Sequence, residues 1–295
     1  MIMHLLKRTP FLVAAGLLLA GVSGWSVAGE VAVDPADNGT DIRDDTTEDE
    51  DSRSSEVTAA VEDFVEAVPG HANDVPLAEA VTSAEGRAEP LKLLGAEIPP
   101  GESMRLSWSA TELFEGVPVS TPVLAVNGSL PGPSLCLTAA VHGDELNGVE
   151  MVRRVMHDIN PDKLSGAIIG VPIVNVQGFR RGSRYLPDRR DLNRYFPGNP
   201  TGSAAARIAH SFFTNVIAHC DALIDLHTGS FERANLPQIR ADLRNPDVVT
   251  LTQGLGGMVI LHSTPAVGTL RHAATQAGIP AVTLEAGGPS VLELN

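Results

Sequence analysis

Positive charge is scarce in this chain. Lysine and arginine number 21 against 36 acidic residues among 295, giving a formal charge of −15 and an isoelectric point near 4.9. That balance argues against nucleic acid or an anionic membrane as partner, since both are bound through clustered cations. No internal repeat is present, which sets aside solenoid and propeller architectures. Cysteine is down to two residues, Cys136 and Cys220. Both lie in apolar runs that read as buried strands, so buried free thiols are expected; a bridge requires those strands to be neighbours. What remains is ordinary globular composition, 43% hydrophobic and 19% charged, with enough apolar material for a sizeable core.

Two stretches stand outside that core. Residues 1–29 carry Lys7 and Arg8, then the apolar run "FLVAAGLLLAGV", then the small residues Ser26 and Ala28. This is the layout of a secretory signal peptide. Phe11 to Ala28 has the length of a membrane anchor, but its core is short and broken by Gly and Ser. A membrane partner therefore enters only if this segment stays uncleaved. No Cys follows the run, so no lipid is expected there. The expected location is periplasmic or secreted. Residues 30–75 read as an acidic, disordered leader. From Glu30 to Ala67, fourteen acids face only Arg43 and Arg53, and too little apolar surface is present to fold alone. Residues 76–295 are the expected folded domain.

Short apolar patches over residues 77–127, broken by "IPPGES", "FEGVP" and "STP", predict small strands and hairpins. From Ser134 the pattern becomes regular. "SLCLTAAV" and "GAIIGVPIVNV" read as buried strands, and "DALIDLH", "GMVILHS" and "IPAVTLEAG" as a third, fourth and fifth strand. Leu146, Val149, Val152, Val155 and Ile159 repeat at helical spacing until Asn160-Pro161 stops them. Ile208, Phe212, Val216 and Ile217 mark a second helix, and "GTLRHAATQAG" a third. Strands alternating with helices predict an α/β domain whose central, largely parallel or mixed sheet is flanked by helices.

In such sheets ligands bind beyond the carboxyl ends of the strands, so position in the sequence stands in for geometry. His142 and Glu145 of "HGDE" follow the first strand, and "GFRRGSRYLPDRRDLNRYFPG" follows the second. His227 ends the third and Glu285 ends the fifth. Two histidines and a carboxylate are a well-attested set for catalytic zinc, with the fourth position left for water. The tight turn at Gly143 lets His142 and Glu145 bend round to one ion. A lone His after a strand is commonly an ordinary hydrogen-bonded residue. His157, His210, His219 and His272 are read that way, and His262 has a weaker claim on the pocket. Hydrolysis also needs a proton shuttle, and Glu285, an isolated carboxylate ending a very apolar strand, fits that role. Arg180, Arg181, Arg184, Arg189, Arg190 and Arg194 crowd one segment, which predicts a local anion site. A solvated basic loop paired with the acidic leader is the alternative.

In this order along the chain, "HGDE", "DLNRYFPG", "DLHTG" and "VTLEAG" resemble the succinylglutamate desuccinylase/aspartoacylase family, relatives of the zinc carboxypeptidases, over about residues 90–295. The resemblance implies a zinc carboxypeptidase-like domain holding one Zn2+ per chain on His142, Glu145 and His227, with Glu285 as general base and proton shuttle. It also implies that Asn193 and Arg194 hold a substrate carboxylate. Arg184 would polarise the scissile carbonyl, with Arg180, Arg181, Arg189 and Arg190 as rivals. Family members continue into a small β-rich C-terminal domain, whereas this sequence stops ten residues after Glu285. A C-terminally truncated catalytic domain without that β-domain is therefore expected. The expected activity is cleavage of the amide, or the ester, of a small anionic N-acyl amino acid or related carboxylate. A zinc carboxypeptidase acting on peptides and a non-catalytic, zinc-stabilised binding protein are the alternatives.

Overall fold

The computed structural model describes residues 88–109, 119–231 and 233–292. The signal peptide and acidic leader expected over residues 1–29 and 30–75 lie outside the described residues.

A hairpin opens the described chain, pairing β1 (Leu91–Leu93) with β2 (Ala96–Ile98). Its turn residues Leu94 and Gly95 take φ of 50° and 78°. Positive φ at both positions is what a two-residue turn needs to follow the twist of its strands. The other strands are β3 (Glu102–Ser109), β4 (Ser120–Asn127), β5 (Leu130–Ala139), β6 (Ser165–Val171) and β7 (Ala222–His227), followed by β8 (Asn235–Ala241), β9 (Val259–His262) and β10 (Ala281–Gly287). They form one eight-stranded sheet in the order β3-β4-β6-β5-β7-β10-β8-β9. The central strands β6, β5, β7 and β10 run parallel to one another. The sheet is mixed because β4 runs antiparallel to β6 and β8 antiparallel to β10.

Helices α1 (Asn147–Asp158), α2 (Val176–Arg180), α3 (Ala204–Asn215), α4 (Pro246–Gln253) and α5 (Leu270–Gln276) complete the domain. Period-two alternation sorts the strand side chains onto two cores. Cys136 of β5 joins Ile169 and Leu223 under α3 (Ile208, Phe212) and α5 (Leu270, Ala274). Its neighbours Leu135, Leu137 and Ala139 join Val152 and Val155 of α1 and Val248 and Leu251 of α4 on the other face. Burial on both faces is why "SLCLTAAV" shows no polar side. Gly148 lets α1 lie against the sheet: a Cβ there would sit 2.9 Å from that of Leu226 on β7.

"GMVILHS" forms a strand, β9, but it does not lie in the core: it is the outer edge of the sheet, and Val259 to His262 are all exposed. Strand β8 and helix α4, which lie between β7 and β9 in the chain, have no clear signal in the hydrophobic pattern. "NLPQIRA" carries Pro237 and only intermittent apolar residues, so its strand character comes from pairing with β10, not from its own pattern.

Cys136 and Cys220 are not free thiols; they form a disulfide with Cα atoms 5.8 Å apart. The required adjacency exists because β5 and β7 are neighbours, with Leu135 paired to Ala222. The bridge closes a loop of 84 residues, which by chain entropy restricts the unfolded state by about 4.5 kcal/mol. The Cys136→Ala/Cys220→Ala double variant is expected to lose about 2–5 kcal/mol of unfolding free energy. Urea titration followed by circular dichroism measures this, and a loss below about 1 kcal/mol would contradict it.

Candidate metal centre and active site

The site is built where β5 and β7 end side by side, with Ala139 paired to Leu226. Beyond β5, Ala140 takes φ 47°, a left-handed conformation that turns the chain. Gly143 then packs on the backbone of Gly178, where a Cβ would come within 2.1 Å of the carbonyl carbon; any larger residue would push this turn away. The turn carries His142 and Glu145 to His227, the last residue of β7.

All three side chains are buried, and their ligand-type atoms lie within 4.8 Å of one another. His142 Nδ1 is 2.8 Å from Glu145 Oε1, and His227 Nδ1 is 2.8 Å from Oε2. A second carboxylate stands behind each imidazole. His142 Nε2 is 3.1 Å from Asp191 Oδ1, and His227 Nε2 is 2.7 Å from Asp225 Oδ2. Thr138 Oγ1 donates to the other oxygen of Asp225 at 2.7 Å. A carboxylate on Nε2 favours the tautomer that leaves the Nδ1 lone pair for the centre, and it raises that nitrogen's basicity. This donor set, two imidazoles and a carboxylate with supporting carboxylates, fits a divalent ion of the zinc kind.

Electrostatics reinforce the cluster. Burial works to raise the Glu145 carboxyl, but His227 and His142 beside it prevail and hold it well below the usual carboxylate range. Burial likewise opposes ionisation of Asp191, and hydrogen bonding from His142 with the charges of Arg184 and Arg194 overcomes it. For His227, burial favours the neutral ring, yet Asp225 and Glu145 outweigh it and raise its pKa well above the ordinary value. Paired buried charges of this kind persist only when each is compensated.

The remaining candidates separate clearly. Glu285 is paired in register with His227 on the neighbouring parallel strand, one strand spacing of about 4.8 Å away, and is buried. Among the arginines, Arg184 is the one drawn into the cluster. Its Nη1 donates to Glu145 Oε1 at 3.2 Å and Ser230 Oγ at 2.9 Å, and its Nη2 to Asp191 Oδ2 at 3.1 Å. Its rivals Arg180, Arg181, Arg189 and Arg190 are exposed. Asn193 Oδ1 accepts the Leu270 N–H at the start of α5 at 2.8 Å, which leaves the NH2 end of its amide as the donor. Arg194 is half exposed, and its Nη1 donates to the Asn193 carbonyl at 2.9 Å. His262 sits on the exposed edge strand, where its Nδ1 accepts from the Leu243 N–H.

Glu285, Arg184, Asn193 and Arg194 line one cavity of about 330 Å³ with the His142–Glu145–His227 cluster, together with residues that the sequence pattern did not point to. Arg240 comes from β8, and Arg271 from the first turn of α5. Arg271 donates to the Arg240 carbonyl and to Ser263 Oγ. Asp225 carried a legible signal: it lies two residues before His227 on one strand, hence on the same face. Asp191, the first residue of "DLNR", meets His142 only through the fold. Asn235, which donates to Glu285, had no signal at all.

A mixed α/β sheet carries, at the carboxyl end of its parallel strands, a buried His–Glu–His group that could hold a metal ion. Residues 131–295 match the model of the succinylglutamate desuccinylase/aspartoacylase catalytic domain, and the chain belongs to that family. It is 35% identical over 112 residues to N-alpha-acetyl-L-2,4-diaminobutyric acid deacetylase of Halomonas elongata, covering 38% of this chain and 32% of that protein. It is 31% identical over 204 residues to succinylglutamate desuccinylase of Paraburkholderia xenovorans, covering 62% of this chain and 56% of that one. The chain thus spans about a third and just over half the length of these two curated relatives. Among solved structures it resembles a succinylglutamate desuccinylase/aspartoacylase from Rhodobacter sphaeroides, at 28% identity and a TM-score of 0.54, covering 62% of this chain and 58% of that one. The product-bound ectoine utilization protein EutE (DoeB) of Ruegeria pomeroyi aligns at 26% identity and a TM-score of 0.55, covering 66% and 63%.

Proposed function

We propose that this protein is an exported, zinc-dependent hydrolase that cleaves the amide bond of a small N-acyl amino acid. One observation carries the reading: His142, Glu145 and His227, brought together from two adjacent strands, share a cavity with Glu285 and Arg184. The names of the relatives, a deacetylase of acetyldiaminobutyric acid and a succinylglutamate desuccinylase, support the same substrate class. A cavity of about 330 Å³ suits a small molecule better than a peptide.

His142, Glu145 and His227 would hold the ion. Bound there, zinc supplies Lewis acidity and lowers the pKa of water. Asn193 and Arg194 orient the substrate through its carboxylate by donating to it. Arg184 directs a guanidinium at the carbonyl oxygen as negative charge develops on it. Glu285 takes the proton from the attacking water and returns it to the departing amine. Burial of the cluster limits competing solvent and strengthens each of these interactions.

Export is supported by the N-terminal segment with Lys7, Arg8 and its apolar run. The Cys136–Cys220 bridge is the form a thiol pair takes in an oxidising compartment. The deciding experiment uses zinc-loaded protein recovered from the periplasm or medium, with residues 1–29 expected to be missing. A panel of N-acetyl- and N-succinyl-amino acids is expected to release free amine, and short peptides are not. Binding of these compounds without turnover would leave a binding protein instead, and turnover confined to peptides would leave a carboxypeptidase.

A further inference from the structure

Strand β8 contains a register slip that changes which way Asn235 points. Simple alternation puts Asn235 with Ile239 and Ala241, which are buried in the core under α1 and α4, and opposite Arg240, which faces the cavity. Yet Glu285 is paired with Gln238, and Gly287 with Asn235, so two steps along β10 meet three along β8. The extra residue makes a β-bulge, and Pro237, which has no N–H to give a ladder, lies within it. One inserted residue flips the strand's faces. Asn235 therefore emerges on the cavity side beside Glu285, where its Nδ2 donates to Glu285 Oε2 at 2.8 Å. From farther along the same strand, Arg240 Nη1 lies 3.4 Å from the other oxygen, Oε1.

We infer that Asn235 is a positioning residue: the bulge in β8 turns its amide toward Glu285 and sets the direction in which that carboxylate faces the cavity. The inference rests on the reading of Glu285 as the proton shuttle. A glutamate side chain has three torsions and, left alone, several orientations of similar energy. Donation from Asn235 to one oxygen, with Arg240 near the other, selects one of them. An amide suits this place because it offers a donor without charge. An aspartate of the same shape would set a second carboxylate against Glu285.

Substitution of the same size separates this role from packing. Asn235→Asp keeps the shape and loses the donor. It is expected to lower kcat about 10- to 100-fold, the scale typical of residues that orient a reacting group. KM is expected to stay within about twofold, since Asn235 is not assigned to substrate binding. Zinc content and calorimetric affinity for the product amino acid are expected to match the parent, while the thermal midpoint falls modestly from the new pair of carboxylates. Asn235→Gln, with a donor on a longer arm, is expected to recover part of the lost kcat. Parental kcat in Asn235→Asp overturns the inference, as does a loss that appears in KM or zinc content instead. If Glu285→Gln is inactive while Asn235→Asp is fully active, only this inference fails. If Glu285→Gln is itself fully active, the proposed mechanism fails and this inference falls with it.

Discussion

Glutamine in place of Glu285 is expected to cut kcat on the N-acyl amino acid by about 10³-fold or more. A single positioned acid or base is worth about 10²–10⁴. Glu285 is assigned both proton transfers, which puts it in the upper part of that range. The substitution is nearly isosteric, and its one new contact is an NH2 group that faces Arg240 in place of Oε1. Glutamine has the same size, its carbonyl oxygen still accepts from Asn235 Nδ2, and Glu285 is not one of the three clustered ligand residues. Zinc content and KM are therefore expected to stay near parental values. Steady-state kinetics alongside metal analysis is the measurement, and undiminished turnover would remove Glu285 from the mechanism.

The second large effect belongs to His227. Without metal, Asp225 and Glu145 hold a proton on this buried ring. An incoming ion needs the Nδ1 lone pair, so that proton must leave. Zinc titrated into metal-free protein is thus expected to bind once per chain and release a proton at neutral pH. Calorimetry in two buffers of different ionisation enthalpy reads the release. His227→Ala removes a proposed ligand and strands Glu145 and Asp225 in the interior without their shared partner. Breaking a buried pair in this way costs about 3–5 kcal/mol. The variant is expected to lose zinc uptake and to denature at clearly lower urea concentration. If it takes up one zinc as tightly as the parent, the proposed centre is wrong.

Much of the site was legible because parallel α/β sheets follow a simple rule. Ligand-bearing residues stand at the carboxyl ends of strands, and those ends are visible where an apolar run stops at a polar residue. His142 and Glu145 after β5, His227 at the end of β7 and Glu285 near the end of β10 are all found this way. The helices α1, α3 and α5 were equally visible, since each buries a periodic apolar face. Choosing Arg184 among five neighbours was another matter. All six arginines of that segment have the same chemistry, and only the path of the chain decides which guanidinium reaches Glu145 and Asp191.

By itself, then, the sequence determined the α/β class, the central parallel strands and the strand-end places of four candidate site residues. It could do so because local hydrophobic periodicity and strand-end position are properties of consecutive residues. Only the tertiary structure decided that Cys136 meets Cys220, that β8 enters the sheet antiparallel beside β10, and that β9 is left at an exposed edge. It alone placed Asp191 and Asp225 behind the imidazoles and, through one bulge, Asn235 beside Glu285. These outcomes depend on strand neighbours and register, and both are set by packing between segments far apart in the chain.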